Sequence, residues 1–319
     1  MKIVFLETDT LGVDVDLTPF DKLGEVIKYP LSNPLQVADR TSDADVVVVN
    51  KVPMNEKTLG RAADIKLICV TGTGTNIVDF NYTNSKNITV TNVKGYSTQS
   101  VIQHTFALFF YVYEKLSYYD HFVKSGQYIR TDIFSHFDVK FHELAGKTWG
   151  IIGLGKIGKG VAEAAKLFGC RILYYSTSGM NNNTDYERVD LDTLLEKSDV
   201  ISIHAPLNDS TRNLIGEEEL RRMKKSAVLL NLGRGPIVNE DALAKALKED
   251  WIAAAGLDVL SVEPMLADNP LIEIQDSTKL IITPHIAWAT IEARQRVCEE
   301  VYKNIIAFRN GEERNVVRQ

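Results

Sequence analysis

Short apolar runs alternate with helix-length segments along almost the whole chain, the pattern of strands that return in parallel through helices. Ile3 to Leu6, Val46 to Val49, Leu67 to Val70 and Ile88 to Thr91 are predicted strands, separated by longer polar intervals. The segment 97–114 opens on Ser97 and Thr98 and then stays apolar on most faces, which predicts a long buried helix. A second series starts at Lys147, with predicted strands at Lys147 to Ile152, Arg171 to Tyr175, Asp199 to Ile203, Ala227 to Asn231, Ile252 to Leu257 and Lys279 to Ile282, and a helix at Asp241 to Lys248. Beyond Pro284 a final helix, Thr290 to Arg309, carries apolar positions that need a core to pack on.

The junction after the first strand of the second series is Gly153-Leu154-Gly155-Lys156-Ile157-Gly158, followed by an amphipathic helix that ends near Gly169. Three glycines at this spacing, between a strand and a helix, form a dinucleotide-binding pattern. Gly153 permits the tight turn, Gly155 lets backbone approach a pyrophosphate, and Gly158 allows close helix–strand packing. The pyrophosphate then meets the unpaired N–H groups and positive dipole of the helix N-terminus. A nicotinamide and a flavin dinucleotide both satisfy this pattern.

Composition narrows the partners. The 319 residues suffice for two domains, and 45% hydrophobic content supports two packed cores. A net charge of -6 leaves no basic field to gather nucleic acid or anionic lipid, so an anionic substrate has to be held by local cations. No apolar run reaches the length of a membrane span, and the N-terminal Met1 to Glu7 is too short and too soon acidic for a signal peptide, which predicts a cytoplasmic protein. Cys69, Cys170 and Cys298 lack metal-ligand spacing and are expected to be reduced, buried thiols, with no metal site.

Three further signals follow strands of the second series: Asn231-Leu-Gly-Arg234-Gly-Pro, Gly256-Leu-Asp258-Val-Leu-Ser-Val-Glu263-Pro and Thr283-Pro-His285-Ile-Ala-Trp288. Ligands of open α/β sheets bind at those strand ends. Reduction of a 2-oxo acid needs a cation for the carboxylate, a proton donor for the carbonyl oxygen and a carboxylate that keeps the donor protonated. Arg, His and Glu are those parts, and Arg suits planar bidentate contact with a carboxylate.

The order of these motifs is highly specific, and over essentially its full length the chain resembles the D-isomer-specific 2-hydroxyacid dehydrogenases. Within that family, Gly95-Tyr96-Ser-Thr-Gln-Ser and Pro284-His-Ile-Ala-Trp288 are most similar to the glycerate dehydrogenases, or hydroxypyruvate reductases. The resemblance implies an α/β fold of two doubly wound parallel-sheet domains. A flavodoxin-like substrate domain, discontinuous over 1–99 and 286–319, would join a Rossmann dinucleotide-binding domain over 100–285, with the active site in the interdomain cleft. It implies His285 as the general acid in reduction, Glu263 as its partner and Arg234 as substrate anchor. Asp258 would face the nicotinamide carboxamide, and His204, with Ala205 and Pro206, would lie near the cofactor. Thr71 and Gly72 match the family segment that receives the substrate carboxylate, and Lys51 is placed to add a contact for a hydroxylated side chain. Tyr96, Phe134 and Trp288 are further candidates for shaping side-chain preference. Family analogy favours a homodimer, with 111–142 as the exchange surface.

One position departs from the pattern. NAD-selective dinucleotide folds carry an acid about 20 residues beyond the glycines, whereas the strand ending at Tyr175 runs into Ser176-Thr177-Ser178-Gly179. Losing that carboxylate removes repulsion against a 2′-phosphate, yet no Arg or Lys adjoins Ser176 in sequence. The expected cofactor is NAD(H), with NADP(H) admitted and weak discrimination between them. Two other readings share the resemblance: a short-form 3-phosphoglycerate dehydrogenase, and a dinucleotide-sensing binding protein without turnover.

Overall fold

The computed structural model describes residues 1–60 and 64–318, which divide into two compact units: 1–97 with 289–319, and 98–288. The boundaries differ by two or three residues from the expected 99/100 and 285/286. Thr98 already begins a helix, and the Ser100 hydroxyl donates to the Ala287 carbonyl, which ties residue 287 to the second unit.

The first unit is a five-stranded parallel sheet of β1 (Lys2–Phe5), β2 (Glu25–Lys28), β3 (Val46–Val49), β4 (Leu67–Val70) and β5 (Thr89–Thr91), in the order β2-β1-β3-β4-β5. This is the flavodoxin-like winding. Strand β2 carries no strand signal in the sequence, because its two apolar residues stand between Glu25 and Lys28 and no position is fully buried at the sheet edge. Strands β3 and β4 are buried at every position, as a central parallel strand covered on both faces must be. The apolar face of the closing helix Ile291–Arg309 finds its core against β4.

The second unit holds a seven-stranded parallel sheet of β6 (Thr148–Ile152), β7 (Arg171–Tyr175), β8 (Glu187–Arg188), β9 (Val200–Ile203), β10 (Val228–Asn231), β11 (Ala254–Leu257) and β12 (Leu280–Ile282). The order β12-β11-β10-β9-β6-β7-β8 reverses direction between β6 and β9, the switch point at which such sheets bind ligands. Strand β8 is two exposed residues and left no hydrophobic signal. One face is covered by the helices Leu191–Lys197, Glu217–Arg222 and Glu240–Lys248 and the other by Thr98–Tyr113 and Lys156–Leu167. Among the described residues no helix is long and apolar enough to cross a membrane, and all three cysteines are buried free thiols.

Trp149 anchors the second of these layers. It is fully buried between Phe106 and Phe109, and its indole N–H donates to the Ser202 hydroxyl at 2.9 Å. Trp149→Ala is expected to lower unfolding free energy by about 3–5 kcal/mol, read from urea unfolding, because the cavity and the unpaired hydroxyl add.

Candidate active site

The dinucleotide edge is built by the glycines after β6. Gly153 adopts φ +93°, and a Cβ there would lie 2.8 Å from the Ala205 nitrogen, so only glycine lets β6 and β9 end side by side. A Cβ on Gly158 would stand 2.3 Å from the Gly153 carbonyl oxygen, whereas one on Gly155 would project into open space. The helix Lys156–Leu167 starts at Gly155 with no side chain capping it, which leaves its first N–H groups for an anion. Leu154 is buried and offers only backbone; Lys156 is exposed and Ile157 half-buried.

Beside this edge, both ring nitrogens of His204 are shut off from solvent with no partner among the described residues, while the Ala205 side is buried and Pro206 exposed. Burial pushes the His204 imidazole down to about 3, so the ring is neutral. An uncapped helix end, open space over Gly155 and a buried ring awaiting polar partners fit a bound dinucleotide. Ser176 is buried, its hydroxyl accepting from the Asn181 N–H at 3.3 Å, with Thr177 half-buried beside it.

Arg234 is presented by a self-closing turn. Asn231 Oδ1 accepts from the Gly233 N–H at 3.1 Å and its Nδ2 donates to the Arg234 carbonyl at 3.0 Å, so the buried asparagine shapes the loop. A Cβ on Gly235 would lie 1.9 Å from the Leu260 carbonyl carbon, which explains the second glycine of Gly-Arg-Gly. The half-buried guanidinium donates to the Gly233 carbonyl at 2.8 Å and has no carboxylate partner among the described residues. It is free to bind an anion.

Glu263 and His285 are brought together across 22 residues of sequence. His285 Nδ1 lies 2.7 Å from Glu263 Oε2, and Glu263 Oε1 accepts from the Leu260 N–H at 3.0 Å. The pair remains accessible, with side chains 27% and 31% exposed. With Nδ1 committed to the carboxylate, Nε2 is left to exchange a proton with a ligand. His285 sits in the left-handed region at φ +54°, a conformation the surroundings must enforce.

Asp258 enforces it. Its buried carboxylate accepts from the N–H groups of Ile286 and Ala287 at 2.8 and 2.9 Å and from the Thr283 hydroxyl at 2.7 Å, while its carbonyl accepts from the His285 N–H at 2.9 Å. Both oxygens of Asp258 thus bind the turn that carries His285. His104 reaches the same group, its Nε2 2.9 Å from the Thr283 hydroxyl and 3.6 Å from Asp258; burial lowers its imidazole and the Asp258 charge opposes that. Sequence reading missed His104 because it lies mid-helix, 179 residues from Thr283.

In the first unit, Thr71 is buried and turns both its N–H and its hydroxyl to the Val49 carbonyl, so it holds β3 and β4 together at the carboxyl edge. The N–H groups of Gly72, Thr73 and Gly74 beyond it have no acceptor among the described residues. Lys51 is exposed on a loop pinned by Glu7, whose buried Oε2 accepts from the N–H groups of Asn50, Lys51 and Val52 at 2.9, 2.9 and 3.2 Å. Glu7 carried no motif and was legible only in the fold.

Residues 106–287 match the family described as D-isomer specific 2-hydroxyacid dehydrogenase, NAD binding domain. The chain belongs to the D-isomer-specific 2-hydroxyacid dehydrogenase family. It is 38% identical to a glycerate dehydrogenase of Methylorubrum extorquens over 99% of this chain and 98% of the relative. It is 36% identical to a hydroxypyruvate reductase of Blautia hydrogenotrophica over the whole of both chains. Among solved structures, an acyclic imino acid reductase in complex with NADPH and D-Arg superposes with a TM-score of 0.88 at 29% identity, covering 100% of both chains. As a D-2-hydroxyacid dehydrogenase, the protein is an NAD-binding oxidoreductase of small 2-hydroxy and 2-oxo acids.

The buried imidazole of His204 sets a pH dependence. An unfolded imidazole binds a proton below about pH 6.5, whereas the folded ring refuses one until about 3. The unfolded chain binds more protons across that window, so stability falls as pH drops through it, about tenfold in the folded-to-unfolded ratio per pH unit. Urea unfolding at pH 7 and pH 5 is expected to cost wild type at least about tenfold more than His204→Gln; equal costs would remove the buried neutral ring from the account.

Proposed function

We propose that this protein is a cytoplasmic NAD(P)H-dependent reductase of small 2-oxo acids, hydroxypyruvate and glyoxylate foremost, working also in reverse on the D-2-hydroxy acid. The observation that carries the reading is the His285–Glu263 pair with Nε2 free, on the same sheet edge as an Arg234 that lacks an ion-pair partner. The names of the relatives, glycerate dehydrogenase and hydroxypyruvate reductase, support the substrate class.

The chain's own groups divide the work. Arg234 takes the substrate carboxylate and polarises the adjacent carbonyl, and the free N–H groups at Gly72 to Gly74 receive carboxylate oxygens. The hydride for C2 would come from a reduced nicotinamide when the dinucleotide is bound. His285 gives its Nε2 proton to the carbonyl oxygen, Glu263 stabilises the imidazolium beforehand, and the neutral ring then regains a proton from solvent. In oxidation the same nitrogen removes the hydroxyl proton. Asp258 acts through the backbone as a positioning residue. The cofactor contacts are assigned to Gly153, Leu154, Gly155, Lys156, Ile157, Gly158, Ser176, Thr177, His204, Ala205 and Pro206, with Lys51 beside the C3 hydroxyl of hydroxypyruvate.

A steady-state assay of NADH and NADPH oxidation against hydroxypyruvate, glyoxylate, pyruvate and 2-oxoglutarate tests the reading. Turnover of hydroxypyruvate or glyoxylate is expected, falling by about 10²–10⁴ in His285→Ala. In Lys51→Ala, KM for hydroxypyruvate rises while that for glyoxylate, which has no side chain, stays. Tight dinucleotide binding without turnover of any oxo acid would leave a nucleotide-sensing binding protein.

We further propose a homodimer joined through 111–142. Support comes from the apolar side chains this segment exposes, Ile129 at 86% and Phe134 at 90%, with Phe137 beside them; such a patch marks an interaction surface. Light scattering after gel filtration is expected to give twice the chain mass for wild type and the monomer mass for Phe134→Asp with Phe137→Asp. A monomeric wild type would refute the assignment.

A further inference from the structure

We propose that Arg188 is the cation that accepts an adenosine 2′-phosphate, so that this chain binds NADPH as well as NADH. The inference rests on the dinucleotide reading above and names a residue that sequence proximity hid. No basic residue adjoins Ser176, where an NAD-selective fold would carry an acid, and twelve positions separate it from Arg188. The fold closes that distance. Strand β8 pairs with β7 so that Arg188 stands opposite Tyr174, and the loop between them folds back over the end of β7.

Asn181 is the hub of that loop. Its Nδ2 donates to the Leu154 carbonyl of the glycine turn at 2.6 Å and its N–H to the Ser176 hydroxyl at 3.3 Å. Its carbonyl accepts from the Tyr174 hydroxyl at 3.2 Å and from Arg188 Nη1 at 3.3 Å. The guanidinium is therefore one residue removed from both the glycine turn and Ser176. Its Nη2 lies 3.9 Å from where a Cβ on Gly179 would stand, directly against the Ser176–Gly179 turn.

Among the described residues no carboxylate pairs with this charge. Arg188 is exposed and donates to the neutral oxygens of Asn181 and Asn182, the latter at 3.2 Å. Its neighbour Glu187 is already paired with Arg171 at 2.5 Å, and Asp185 accepts from Asn183 at 3.0 Å. A planar guanidinium with spare donors, against the Ser176–Gly179 turn and with no acid at position 176, is suited to a phosphate dianion. A 2′-hydroxyl has no charge for it to meet.

Isothermal titration of NADPH and NADH into wild type, Arg188→Ala, Arg188→Lys and Ser176→Asp tests this without turnover. Wild type is expected to bind the two within about tenfold. Arg188→Ala shifts the affinity ratio at least about tenfold against NADPH, the size of a charge-assisted hydrogen bond. Arg188→Lys recovers part of that shift, and Ser176→Asp moves the ratio in the same direction as Arg188→Ala. Adenosine 2′,5′-bisphosphate against adenosine 5′-phosphate is expected to repeat the pattern. An Arg188→Ala ratio equal to wild type overturns the inference, as does a wild type that binds and uses NADH but ignores NADPH, which leaves the reductase reading intact. A wild type that binds neither dinucleotide overturns both.

Discussion

The catalytic edge of the second unit depends on one buried carboxylate. Asp258 directly follows β11 and accepts from three donors of the segment after β12, while its main chain bonds β10 on one side and His285 on the other. Buried carboxyl oxygens without donors would carry a large desolvation cost, and the segment after β12 wraps around this one to supply them. That wrapping puts a non-glycine residue at φ +54° and aims its ring at Glu263. The His285 ring is held by a constraint that begins at a neighbouring strand.

The rest of the edge uses short side chains in the same manner. Asn231 closes the Arg234 turn, Asn181 ties the loop after β7 to the glycine turn, and in the first unit Glu7 gathers three N–H groups beneath Lys51. Each substitutes for a missing strand partner where the sheet stops, which is why ligand-facing loops can leave regular structure without orphaning their backbone. The groups assigned to chemistry are left open among the described residues: the Arg234 guanidinium without a carboxylate partner, the His285 Nε2, the His204 ring and the N–H groups after Thr71.

Much of this was legible in the chain. Periodicity located the central strands and the long helices, because parallel strands buried on both faces are apolar throughout. Ordered motifs named Arg234, Glu263 and His285 before any geometry. Strands β2 and β8 escaped because short edge strands bury little and need no hydrophobic run. The motif places Asp258 on the ligand edge, while the donors that its carboxylate accepts from arrive from residues 283–287 and carry no local signal.

The sequence by itself determined which chemistry the chain carries, since glycine spacing, apolar strand runs and the Arg, Glu and His motifs are local signals that survive without a fold. Only the tertiary structure decided which side chains serve which others. Asp258 bound to the His285 turn, His104 at Thr283 and Glu7 under Lys51 are contacts between residues far apart in sequence. Their partners are chosen by strand order and loop path, and a pattern of residue types along the chain does not encode the direction in which a hydrogen bond points.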